Sequence, residues 1–283
     1  MIARRRSRPS TPAPLGPFFP PSLALTDNYL PEIKGIRDEV RRGRSVYAGY
    51  QRGWGLQYGS LREQVLRDPL YRQCVKLTAG RSVQSELRRM NVFLLLKFYM
   101  PALDFGHVIE FGSYRGGSAL FAAAVCAKLH PDVVVYALDT FEGMPPTDKA
   151  VDAHSEGNFS DVDLDELKAF AASKGVKNIR FIKGRFEDTA ETVLTEAKTI
   201  ALSHIDCDIR SAVVYAYDVT RPFLVPGAYV VLDDATESSC IGATEAVEEI
   251  LIRRDGLSSE QIFPHFVFRY PPLPSAPIDP TNH

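Results

Sequence analysis

From His107 onward the chain alternates short apolar runs with stretches of helical apolar spacing, the pattern of parallel strands joined by crossover helices. The runs predict strands at 107–111, 133–138, 179–183, 200–205 and 228–232, with a final pair near 261–263 and 266–270. Between them, Asp163-Leu-Asp-Glu166 reads as a capping box whose helix Gly175 ends, and Glu187 to Ala197 forms a short amphipathic helix. Ser211 to Phe223 serves as the crossover into the fifth strand, with a turn at Pro226-Gly227. The expected fold is α/β, a doubly wound, mostly parallel, seven-stranded Rossmann-like sheet. In such sheets ligands gather outside the carboxyl ends of the strands.

The first hundred residues follow other patterns. Residues 1–25 are rich in proline and arginine and offer little to bury, so they are expected to form a disordered tail. Residues 26–100 are expected to form a helical extension, and 101–283 the catalytic domain. Within the extension, a helix is expected from Pro31 to about Arg42, and an aromatic, glycine-rich stretch runs from Ser45 to Gly59. Ser60-Leu-Arg-Glu63 is a capping box opening a helix toward Leu77, and Ser82 to Met100 has helical apolar spacing.

Composition changes this picture little. With 33 Lys and Arg against 35 Asp and Glu, the formal charge is −2, so no overall basic field favours nucleic acid or an anionic membrane. Leaving out Arg4, Arg5, Arg6 and Arg8 sets 29 basic residues against 35 acidic, or −6, so the remainder is mildly acidic. The four cysteines form no C-x-x-C pair, which points to reduced thiols rather than disulfides or structural zinc. The longest apolar run, Val92 to Met100, holds Lys97 and is about half a membrane span. Prolines follow the arginine cluster where a secretory signal needs an apolar region. The expectation is a cytoplasmic protein with a small-molecule partner.

The chemistry lies at the strand ends. After the first strand comes Gly112-Ser-Tyr-Arg-Gly-Gly117-Ser118, leading into a helix. Backbone can approach a ligand closely at such a turn, and its N–H groups point outward. Tyr114 stands where a dinucleotide fingerprint requires glycine, and no P-loop is present, so pyridine nucleotides and nucleotide triphosphates are disfavoured. Glu110, just before the turn, suits a cationic ligand better, such as the ammonium and sulfonium of S-adenosylmethionine. Asp139 ends the second strand where a ribose would lie, the alternative reading being a cap for the turn that follows, which includes Phe141. Gly184, Phe186 and Asp188 follow the third strand where an adenine could be held, Asp188 being equally suited to cap a helix.

Asp206-Cys-Asp208 closes the fourth strand and Asp233-Asp234 the fifth, 27 positions on from Asp206. If these strands are neighbours, their ends lie about 5 Å apart and three or four carboxylates converge. Such a cluster either traps protons or holds a cation, and oxygen donors alone select a hard ion such as Mg²⁺. An Asp-x-Asp also occurs in haloacid-dehalogenase-type phosphatases and in nucleotide-sugar glycosyltransferases, neither of which explains the glycine turn. His204 is expected to be structural, Asp208 to stand behind the metal ligands, and the loop 141–162, which holds His154, to form a lid.

Five segments in order resemble the successive motifs of the macrocin O-methyltransferase (TylF/MycF) family. They are Glu110-Phe-Gly-Ser-Tyr-Arg-Gly-Gly117, Asp139-Thr-Phe-Glu-Gly-Met-Pro145, Gly184-Arg-Phe-Glu-Asp-Thr189, His204-Ile-Asp-Cys-Asp208 and Pro226-Gly-Ala-Tyr-Val-Val-Leu-Asp-Asp234. The resemblance covers about residues 85 to 270. It implies a class I, S-adenosylmethionine-dependent, Mg²⁺-dependent enzyme that methylates a sugar hydroxyl of a natural product. It implies Asp206, Asp233 and Asp234 as metal ligands, Asp206 as the candidate base, and an often oligomeric assembly. Ile209-Arg210-Ser211-Ala212 and Ala235-Thr236-Glu237-Ser238 depart from the family pattern on the acceptor side. A metal-dependent glycosyltransferase and a non-catalytic member of the fold are the competing readings.

Overall fold

The computed structural model describes residues 61–270 and a two-residue antiparallel ladder, Val40–Arg41 with Arg44–Ser45. The chain divides into two compact units, residues 1–67 and 68–283. The ladder replaces the end of the helix expected from Pro31; the rest of that helix, the tail and most of the aromatic stretch lie outside the described residues. The helix expected from Ser60 to Leu77 is two helices, Leu61–Arg67 and α1 (Pro69–Leu77). Pro69 is the cause: the residue before a proline avoids the helical region. Asp68 accordingly takes ψ 121° and caps α1, accepting from the N–H groups of Leu70 and Tyr71.

Helix α2 (Glu86–Leu94) is capped by Ser85 and runs on as a π turn and a 3₁₀ turn to Ala102. Of the apolar residues along it, Met90, Phe93, Leu95 and Leu96 are fully buried. The strands of the main sheet are β1 (His107–Phe111), β2 (Val135–Asp139), β3 (Ile179–Lys183), β4 (Ile200–Ile205), β5 (Leu224–Leu232) and β6 (Phe266–Tyr270). They lie in the order β3-β2-β1-β4-β5-β6, parallel except for β6. The connecting helices are α3 (Gly117–Leu129), α4 (Leu164–Ser173), α5 (Phe186–Ala197), α6 (Arg210–Thr220) and α7 (Ile241–Ala246), the last continuing as a π helix to Arg254.

The chain reversal from β3 on one side to β4 on the other makes β1 and β4 the switch point of the sheet, where its ligand crevice is expected. The main sheet has six strands among the described residues rather than the seven expected. The run at 261–263 makes only a single bridge, Gln261 to Val267, because Pro264 follows it and has no N–H for a ladder. Pro226-Gly227 likewise does not precede β5 but lies within it. The two residues fall where the β4–β5 register slips, between the Ile200–Leu224 and Leu202–Tyr229 pairs, and Gly227 has φ +74°. No described helix is long and apolar enough to cross a membrane.

Candidate functional site

The sheet register sets the site. Phe111 pairs with Ile205 and Ile205 with Leu232, so the three strands end side by side. The Asp206 N–H donates to the Phe111 carbonyl at 2.8 Å and the Asp233 N–H to the Ile205 carbonyl at 3.0 Å, carrying the ladder one step past the strands. The glycine turn and the carboxylates thus lie at one end of the sheet. A cavity of about 340 Å³ opens there.

The turn bends back at Gly112, with φ +85°, and a side chain there would place its Cβ 1.8 Å from the Asp206 carbonyl oxygen. Gly116, at φ +71°, precedes α3 in the left-handed conformation. Asp139 fastens the turn from the neighbouring strand: its Oδ2 accepts from the N–H groups of Ser113 and Tyr114, both at 2.8 Å. Its Oδ1 accepts from Phe141 N–H at 2.7 Å. Asp139 therefore caps two turns, and it also lines the cavity. Asp139→Ala should loosen the turn as well as remove a ligand contact. Calorimetry with S-adenosylhomocysteine should show an affinity loss of roughly 1.5–3 kcal/mol, the worth of hydrogen bonds to a charged group; unchanged affinity would leave Asp139 a cap alone.

Gly112, Ser113, Tyr114, Gly117, Ser118, Asp139 and Phe186 share the cavity wall with Asp206, Asp233 and Asp234. Four other expected residues do not line it. Glu110 is buried, and its Oε2 pairs with His204 Nδ1 at 2.9 Å while Oε1 has no partner. Phe141 is buried edge-on against Phe181. Gly184 faces Thr189, and Asp188 is exposed in the first turn of α5, where Arg185 holds the cap position.

The carboxylate oxygens of Asp206, Asp233 and Asp234 approach within 4.8 Å of one another. Asp233 is held from several sides: Gln84 donates to Oδ1 at 2.8 Å, Arg88 to Oδ2 at 2.6 Å, and the His204 and His265 Nε2 atoms each lie 3.3 Å from Oδ1. Burial opposes charge on His204, but its bonds to Asp233 and Glu110 prevail and hold its pKa well above the usual value. His204 thus lies between the carboxyl groups of Glu110 and Asp233, an arrangement that favours its protonated form. Burial works against the Asp233 charge too, yet the two histidines hold its carboxyl well below the ordinary range.

Asp206 and Asp234 are the reverse. Burial, and then the charges of neighbouring aspartates, push both well above the carboxylate range. Asp234 Oδ2 accepts the Asp208 N–H at 2.9 Å, but the Asp206 carboxylate takes no hydrogen bond from the described residues. Arg88 and His204 are engaged by Asp233, and also by Glu237 and Glu110, which leaves the oxygens of Asp206 and Asp234 without a cationic partner among the described residues. The remainder, all oxygen and poor in donors, fits a hard divalent ion.

The family model described as Macrocin-O-methyltransferase (TylF) matches residues 103–252, which hold both the glycine turn and the carboxylates. The chain belongs to the macrocin-O-methyltransferase (TylF) family. One curated relative, the 8-demethyl-8-(2,3-dimethoxy-alpha-L-rhamnosyl)-tetracenomycin-C 4'-O-methyltransferase of Streptomyces olivaceus, is 30% identical over 146 residues, 48% of this chain and 55% of that one. Another, the mycinamicin III 3''-O-methyltransferase of Micromonospora griseorubida, is 29% identical over 167 residues, 55% of this chain and 63% of its own. The chain thus spans between half and two thirds of the length of these curated relatives. In fold it is similar to the O-methyltransferase NovP, with a TM-score of 0.57 at 21% identity, covering 74% of this chain and 94% of that one.

This TylF-family chain also builds its site from residues that sequence reasoning missed. Arg88 and Gln84 reach Asp233 from α2 and the segment before it, and His265 reaches it from the turn before β6. No local motif marks them, because they meet Asp233 only across the fold. The loop 141–162, expected to form a lid, is tied to α6 at one point. Its Asp152, 5% exposed, accepts the Arg210 N–H at 2.9 Å and so caps α6.

Proposed function

We propose that the protein is an S-adenosylmethionine-dependent, Mg²⁺-dependent O-methyltransferase acting on a sugar hydroxyl of a glycosylated natural product. The observation that carries this reading is the meeting, in one cavity, of a glycine turn fit for the donor and a carboxylate cluster fit for a hard ion. The family supports it, as does the rhamnosyl group in the name of one relative.

Methyl transfer from a sulfonium to an alcohol is an in-line displacement in which the carbon–sulfur bond breaks as the carbon–oxygen bond forms, and the hydroxyl gives up its proton. Its barrier is largely one of alignment. The glycine turn, fastened by Asp139, would seat the donor's aminoacyl end, with Phe186 beside the base. Asp206, Asp233 and Asp234 would hold the ion, which when bound supplies positive charge for the oxygen that loses its proton. Arg88 and Gln84 orient Asp233 for this task. Asp206, whose carboxylate takes no hydrogen bond from the described residues, would accept the proton.

The deciding experiment is a thermal-shift comparison of S-adenosylhomocysteine, UDP and NAD, each with and without Mg²⁺. S-adenosylhomocysteine should stabilise the protein and the other two should not. Stabilisation by UDP alone would favour the glycosyltransferase reading. A pH series adds a second check. Without an ion, Asp206 and Asp234 stay protonated in the folded protein above the pH at which they ionise unfolded. The folded state then binds more protons, so these two groups lose stability as pH rises through that window. Mg²⁺ takes the place of those protons, so the gain in melting temperature at saturating Mg²⁺ should grow from pH 5 to pH 8. An equal gain at both would place the ion elsewhere.

A further inference from the structure

We propose that His154, Asp208 and Cys240 form a second metal site, for a borderline divalent ion such as Zn²⁺, in the cavity wall beside the carboxylate cluster. The three come from separate segments: the loop before α4, the turn after β4 and the turn before α7. His154 Nε2 lies 3.6 Å from Asp208 Oδ1 and 3.6 Å from Cys240 Sγ, and Cys240 Sγ lies 3.5 Å from Asp208 Oδ1.

The His154–Asp208 separation is long for a hydrogen bond and the two to sulfur are of ordinary length for one, and all three are near those of ligands around one ion. Tetrahedral zinc, with Zn–S near 2.3 Å and Zn–N and Zn–O near 2.0–2.1 Å, sets sulfur about 3.5–3.6 Å from the other two donors and nitrogen about 3.4 Å from oxygen. Two sides of the triangle already fit, and the third needs a few tenths of an ångström. All three residues line the cavity, leaving the fourth position open toward it. A thiolate and an imidazole favour zinc over magnesium, so the two sites would divide the ions between them by donor type. Asp208 sits at φ +62°, a backbone conformation that non-glycine residues seldom adopt. A bound ion would clip the loop of His154 to the strand tips and set a Lewis acid at the acceptor end of the cavity. Binding requires Cys240 to release its proton, so affinity should rise with pH.

The test is titration of the reduced, tag-free full chain, stripped with a chelator, with Co²⁺. One equivalent should produce a thiolate-to-cobalt charge-transfer band with strong tetrahedral visible bands, and Zn²⁺ should bleach both. Cys240→Ser should abolish the charge-transfer band. His154→Ala should weaken binding by more than the roughly 100-fold that losing an outer-shell partner costs, and lying on a loop it keeps the test open should the Cys240 change unsettle the fold. Asp206→Asn, in the other cluster, should leave the spectrum intact. No thiolate band in the unmodified protein, or one that survives Cys240→Ser, would overturn the proposal.

Discussion

Asp206→Asn should nearly abolish methyl transfer while leaving the protein at least as stable as before. The carboxylate accepts no hydrogen bond from the described residues and faces Asp233 and Asp234, so neutralising it removes repulsion and no partner. The proposed ion and proton acceptor would be lost together. Several kcal/mol of transition-state stabilisation disappear, a fall of at least about 10³-fold in kcat/KM. Asp233→Asn should inactivate as strongly but also destabilise, by about 3–5 kcal/mol, because Arg88 and His204 would be left buried beside a neutral group. Turnover measured in the same preparations as chemical unfolding separates the two. If both variants lost equal stability, Asp206 would be a structural residue. If Asp206→Asn kept full turnover, neither the ion nor the base would lie where the carboxylates meet.

The second large effect is expected at Gly112. An alanine there would hold φ +85° and drive its methyl group into the Asp206 carbonyl, 1.8 Å from the ideal Cβ position. The neighbour is backbone at a strand tip, so it cannot turn aside. Strain and overpacking together should cost on the order of 3 kcal/mol. The damage should spread beyond stability, since parting β1 from β4 moves the glycine turn and Asp206 at once. S-adenosylhomocysteine affinity and Mg²⁺ response should therefore fall together. Loss of stability with both responses intact would mean that the tips of β1 and β4 do not set the site.

Much of this was legible in the chain because it is local. Strands at 107–111, 179–183 and 200–205 and the Asp163 cap follow from side chains adjacent in sequence. The neighbouring placement of Asp206 and Asp233 follows from the length of one crossover helix. What could not be read is what depends on contact at a distance. Glu110 looks like a ligand for a cation in sequence, yet its partner is His204, 94 residues away on the adjoining strand. Asp188 suits a helix cap by type, but the helix begins two residues earlier. Arg88 sits in an ordinary amphipathic stretch, and nothing local announces a guanidinium 2.6 Å from an aspartate 145 residues on.

Gly117 adds a consequence of its own. The notch left by its missing side chain is filled by Ser82, whose backbone would lie 2.4–2.5 Å from a Cβ there. Ser82 opens the short strip that delivers Gln84 and Arg88 to Asp233. The donor loop and the positive escort of the carboxylates are therefore keyed together like a tooth and its slot. A larger residue at 117 would unseat both, so the glycine turn and the contacts that hold Asp233 cannot shift independently at this corner of the molecule.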